Sequence, residues 1–203
     1  ESSGIHLMDF WLYGEGVLAS LHLGDAATAN RYLGVMAARL AAAAPWEANF
    51  YNFLAGWESL HRGDLAQASF HAGLALEPRG ATGNTVVQAL VCLLGAHVFE
   101  EAGDRSRAGE LLEEAHRLGI GNRMDHTVFA CLLTKGFFFL RGGDESSAEE
   151  AFREGMRIGR EKGYSGLYLW RPDFLAAVAV KALEAGIEVE YVRELIRKNR
   201  LVP

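Results

Sequence analysis

The chain has 203 residues, 50% of them hydrophobic and 23% charged, with a formal net charge of -6. That balance is the balance of a globular protein rather than a disordered one, and its acidity argues against a surface built to neutralise nucleic-acid phosphates. No stretch approaches the about 18 uninterrupted apolar residues of a membrane span, and the start of the chain lacks the basic segment and cleavage site of a signal peptide, so no membrane is expected and the expected location is cytoplasmic.

Four Gly-Asp pairs organise the sequence: Gly24-Asp25, Gly63-Asp64, Gly103-Asp104 and Gly143-Asp144, separated by 39, 40 and 40 residues. Five positions after each glycine stands an alanine: Ala29, Ala68, Ala108 and Ala148. Each unit therefore reads as helix, Gly-Asp turn, helix. Glycine supplies the left-handed residue that ends a helix, and aspartate accepts from the N–H groups that open the next. The alanine lets the two helices approach closely.

Taken in chain order, the predicted helix pairs cover 5–43, 46–77, 82–118 and 123–162, with a last pair over 167–199 in which Gly186 ends the first helix. In the third pair Leu111, Leu112, Ala115 and Leu118 repeat at the spacing of a helix with one buried face. Pro45, Pro78 and Pro172 fall at expected boundaries between helices, and Pro203 ends the chain. Because the chain begins at Glu1 rather than Met, it is expected to be a piece of a longer protein. Cys92 and Cys131 lie in apolar runs and are expected to be reduced and buried.

Catalytic and cofactor motifs are absent or carry a simpler explanation. The seven histidines show no zinc spacing, there is no phosphate loop and no G-x-S-x-G elbow, and Gly14-Glu15-Gly16 with Ala19 lies within a helical pattern, where close packing explains it. Neither metal nor cofactor is expected. Arg193, Arg197, Lys198 and Arg200 are interleaved with Glu188, Glu190 and Glu194, the arrangement of a solvated helix with i,i+4 ion pairs.

The segment 49–78, NFYNFLAGWESLHRGDLAQASFHAGLALEP, resembles a tetratricopeptide repeat: Ala55-Gly56 match the small pair of its first helix, Gly63-Asp64 its turn, and Ala68 and Ala75 the small residues of its second helix. The other units depart from the pattern. Tyr13, Asn52, Cys92 and Leu132 stand where the family places tryptophan, and the period is about 40 rather than 34. Long repeats of this kind resemble the sensor region of the bacterial ATP-dependent transcriptional regulators typified by the maltose activator MalT. The ending ALEAGIEVEYVRELIRKNRLVP, residues 182–203, is similar to the segment that leads into their DNA-binding domain.

The resemblance implies an all-α fold, a right-handed α-solenoid of about five antiparallel helix pairs. Residues 1–166 would form four tetratricopeptide-like pairs, and 167–203 a fifth, capping pair leading to a downstream domain outside this chain. It implies a non-enzymatic sensor and interaction module that relays an effector or partner to neighbouring ATPase and DNA-binding domains. The chain itself would neither hydrolyse ATP nor bind DNA. A free-standing scaffold for a peptide or protein partner, and an enzyme with an unrecognised site, stay open beside this reading. In such arrays the first helix of each pair lines a concave groove. Aligned on the Gly-Asp turns, the stripe contains Trp11 and His22, then Phe50, Phe53, Trp57 and His61, then His97 and Glu101, and finally Phe137 and Arg141. An aromatic groove with a few polar groups would suit a peptide or small-molecule effector.

Overall fold

Ten α-helices and one short 3-10 turn account for the ordered elements of the computed structural model, which describes residues 9–77, 84–166 and 171–201. The helices are α1 Asp9–His22, α2 Ala26–Ala37, α3 Pro45–His61, α4 Leu65–Leu76, α5 Thr85–Glu101, α6 Arg105–Gly121, α7 Asp125–Gly142, α8 Glu145–Lys162, α9 Pro172–Glu184 and α10 Val189–Lys198, with the 3-10 turn at Leu40–Ala42 after α2. Among the described residues there is no strand. The expected starts at 5, 82 and 167, together with Pro78 and Pro203, lie outside the described residues.

The Gly-Asp turns are built as their residue types demand. Gly24, Gly63, Gly103 and Gly143 have φ of 72°, 74°, 86° and 81°, the left-handed region that a Cβ disfavours. Each following aspartate caps the next helix. The Asp25, Asp64, Asp104 and Asp144 carboxylates accept from the backbone N–H groups of Thr28, Gln67, Arg107 and Ser147 at 3.0, 3.0, 3.2 and 3.1 Å. In three turns the aspartate also closes the helix behind it, its own N–H donating to the carbonyls of Ser20, Ser59 and Phe139 at 2.8, 2.9 and 3.0 Å. One residue thereby satisfies orphan groups at two helix ends. Pro45 and Pro172 open α3 and α9, where the missing N–H costs no helical bond.

A turn with no Gly-Asp signal joins α6 to α7. Arg123 takes the left-handed conformation at φ 55°, Met124 N–H donates to Gly119 C=O at 2.8 Å, and the Asn122 side chain donates to Leu118 C=O at 2.9 Å. The Asn122 and Met124 bonds hold a non-glycine residue where glycine would be easier, and α6 runs to Gly121 instead of stopping near 118.

The chain divides into two compact units, Glu1–Ala102 and Gly103–Pro203. In the first, α1 packs on α2 and α3 on α4; α3 also touches α1 and α2, and α5 touches α3 and α4. In the second, α7 packs on α6 and α8, α9 on α7 and α8, and α10 on α9 and α8. Small residues lie at the helix contacts within each unit. Ala29, Ala68, Ala108 and Ala148 are all fully buried, and a Cβ added to Gly56 would meet Leu94, His71 and the Ala68 carbonyl. At Gly136 the ring of Phe152 occupies that place, and at Gly16 the ring of Tyr32 does. Around these contacts the first unit buries Phe53, Leu54, Met36 and Leu94; the second buries Phe129, Leu133, Phe152, Met156 and Phe174.

Ala68→Leu and Ala108→Leu are each expected to destabilise by about 1–3 kcal/mol, because extra methylenes enter a close helix contact. Chemical denaturation reads this, and unchanged midpoints in both variants would contradict the packing. The caps add a pH dependence. The Ser147 hydroxyl and N–H hold the Asp144 carboxyl below the usual aspartate range, as the Thr28 N–H does for Asp25. A depressed folded pKa gives stability that is complete above the unfolded value, near pH ~4, and lost as pH falls through the folded value. The stability deficit of Asp144→Ala should therefore be larger at neutral pH than in acid.

Candidate functional site

The seven aromatic and histidine residues from Trp11 to His97 on the predicted groove stripe all belong to the first unit, where the structure sorts them by depth. Phe50, Phe53, Trp57 and His97 are 1%, 0%, 1% and 2% exposed. They fill the interior instead of lining an open surface, because α3 is enclosed by α1, α2, α4 and α5. Trp11 and His61 are half-buried and rest on that interior. The Trp11 ring stacks on Phe50 with centroids 4.9 Å apart, and His61 and His97 each set an edge against Trp57 at 5.4 and 5.7 Å. Glu101 is half-buried on α5, and His22 is exposed, with its Nδ1 3.0 Å from the Leu18 carbonyl oxygen.

Phe137 and Arg141 belong to the second unit. Phe137 is half-buried with its edge on Phe174 at 5.0 Å, and the exposed Arg141 guanidinium lies 5.8 Å from the Phe137 ring centre. The stripe thus comprises buried supports with a few accessible groups seated on them.

Polar residues outside the predicted stripe run through α3. The Glu58 side chain is only 4% exposed and is compensated by Arg62 Nε at 2.7 Å and Asn30 Nδ2 at 3.2 Å. Asn52 donates through Nδ2 to Ala48 C=O at 2.8 Å, which leaves Oδ1 to accept from His71 Nδ1–H at 3.0 Å. Burial lowers the His71 pKa, and the Glu58 charge opposes that shift. Polar side chains within an apolar helix are the one sequence signal for this network. Cys92 and Cys131 are buried, in separate units.

In the second unit, three consecutive carbonyls after α8 are each held by a side chain. Tyr191 Oη–H donates to Tyr164 C=O at 2.8 Å, Asn199 Nδ2 to Ser165 C=O at 2.8 Å, and His126 Nε2 to Gly166 C=O at 2.9 Å. Burial pushes the Tyr191 hydroxyl pKa well up, so it stays protonated and keeps donating. Beside this segment lies a cleft of about 300 Å³, walled by the end of α8 and by α10. The exposed ion pairs expected along α10 are present between Arg193 and Glu190 and between Lys198 and Glu194, both at 2.7 Å.

Among the described residues no three His, Cys, Asp or Glu side chains form a metal-binding group, and no helix is long and apolar enough to cross a membrane.

Trp57→Ala is expected to cost about 3–5 kcal/mol of stability through lost burial and a residual cavity. A melting temperature close to that of the parent would instead place Trp57 in contact with solvent or a partner.

No protein-family model matches the chain, and no curated protein matches it.

Proposed function

We propose that the chain is a tetratricopeptide-like sensor and interaction module of a bacterial ATP-dependent transcriptional regulator of the MalT type. It binds an effector or partner protein and passes that state to adjacent ATPase and DNA-binding domains. The architecture proposed with it is a right-handed α-solenoid of about five helix pairs. The observation that carries the reading is the recurrence of one device: a left-handed glycine, a capping aspartate and a fully buried alanine, at separations of 39, 40 and 40 residues. Within each unit, consecutive helix pairs also pack on one another, as stacked repeats do.

In this reading each unit offers its own accessible stripe residues: Trp11, His22, His61 and Glu101 in the first, Phe137 and Arg141 in the second. In the first unit the buried Phe50 and Trp57 support Trp11 and His61 from below. The mechanism is differential binding: an effector with higher affinity for one arrangement of the full-length regulator shifts the equilibrium toward it. No bond-making step is involved.

Reading the coding sequence on both sides of residues 1–203 tests the assignment. A phosphate-loop ATPase domain upstream and a DNA-binding domain downstream are the expected result, and a frame with neither overturns the regulator. In that full-length protein, Trp11→Ala should weaken effector or partner binding by about 2 kcal/mol with little change in melting temperature. A half-buried ring stacked on the core contributes more to contact than to folding.

A further inference from the structure

The cleft of the second unit has a hydrogen-bonded floor and a rim that carries both signs of charge. Its floor is Tyr191 and Leu195, 9% and 2% exposed, set against the segment whose Tyr164, Ser165 and Gly166 carbonyls are fixed by Tyr191, Asn199 and His126. Gly159 makes room for this, since a Cβ there would overlap the Tyr191 hydroxyl. A floor held by hydrogen bonds from α7, α10 and the residue that follows α10 needs no reordering when a ligand enters.

The rim holds two cations and two acids. Arg160 stands at the end of α8, and Glu190, Glu194 and Lys198 follow at four-residue intervals, one stripe of α10. Lys198 pairs with Glu194 at 2.7 Å and Arg160 with Glu188 at 2.8 Å, with side chains 47%, 45%, 50% and 26% exposed in that order. Ion pairs this exposed contribute little and open readily. A ligand of one sign entering here gains one contact and gives up the pair, a near-even exchange. A ligand carrying both signs can enter the Lys198–Glu194 pair and satisfy each end, its carboxylate on the ammonium and its ammonium on the carboxylate. The volume of about 300 Å³ is at the small end of ligand sites, and the lining exposes more apolar than polar surface.

We propose that this cleft binds a small zwitterion, an α-amino acid with an apolar side chain, held between Lys198 and Glu194 over the Tyr191–Leu195 floor. The assignment goes beyond the regulator reading and is independent of it, because the isolated chain is the molecule to be titrated.

Calorimetric titration with three probes sharing one side chain tests it: L-phenylalanine, N-acetyl-L-phenylalanine with only the carboxylate, and phenethylamine with only the ammonium. Saturable binding of phenylalanine at millimolar concentration or below is expected, with both single-charge analogues weaker by about tenfold or more. Lys198→Gln and Glu194→Gln should each weaken phenylalanine by a similar factor. No saturable binding of phenylalanine, equal binding of either analogue, or unchanged affinity in both variants overturns the proposal. If a variant fails to fold, amide shifts of the parent chain decide. Perturbations centred on 160–165 and 190–198 support the site, and perturbations elsewhere overturn it.

Discussion

Everything in this fold depends on reversing the chain in two residues without leaving backbone groups unsatisfied. A helix end exposes carbonyls and the next helix start exposes N–H groups, and a tight reversal places both sets together. The Gly-Asp pair meets this demand because glycine accepts a positive φ and the aspartate serves both directions, by its N–H backward and its carboxylate forward. At Gly63-Asp64 the two roles are met at 2.9 and 3.0 Å. With the turn settled, the two helices lie side by side and the remaining question is how close they come.

Small residues answer that question. At Gly56 a single methyl group would overlap the Leu94 side chain of α5 and press on His71 of α4, and at Gly136 the space is filled by the Phe152 ring. Close approach has a functional consequence. It encloses α3 on several sides, so that large aromatic residues such as Phe53 and Trp57 become interior supports, and only residues one layer out, such as Trp11 and His61, stay accessible. Under the proposed function, a surface resting on stacked rings would be more rigid than one of isolated side chains.

The second unit uses polar rather than aromatic means to the same end. The three carbonyls after α8 are fixed by a tyrosine, an asparagine and a histidine drawn from separate parts of the chain, which gives the adjoining cleft a defined floor. Its rim charges are exposed and mutually compensated, so that any ligand preference arises from their arrangement and not from a net charge. Buried Glu58 in the first unit shows the contrast: there the carboxylate is enclosed, and losing the half-exposed Arg62 or Asn30 would strand a buried charge.

The turns, the helix periods and the close-packed alanines were legible in the sequence, because each is a local matter: φ at one residue, a cap three positions away, a periodicity of one helix. For the same reason Gly-Asp and Pro marked most boundaries to within a few residues. The α6–α7 turn escaped because Arg123 is an ordinary residue whose left-handed conformation is maintained by bonds from Asn122 and Met124, with no compositional mark. Which face of α3 meets solvent could not be read from residue type, since Trp57 and His61 lie four positions apart on one stripe and differ in burial only because neighbouring helices cover one of them. The cleft was equally invisible. Its walls come from α8 and α10, about 30 residues apart, and its floor is set by hydrogen bonds that reach back to His126. Tertiary packing alone decides such things, because exposure is a property of what surrounds a residue and not of the residue itself.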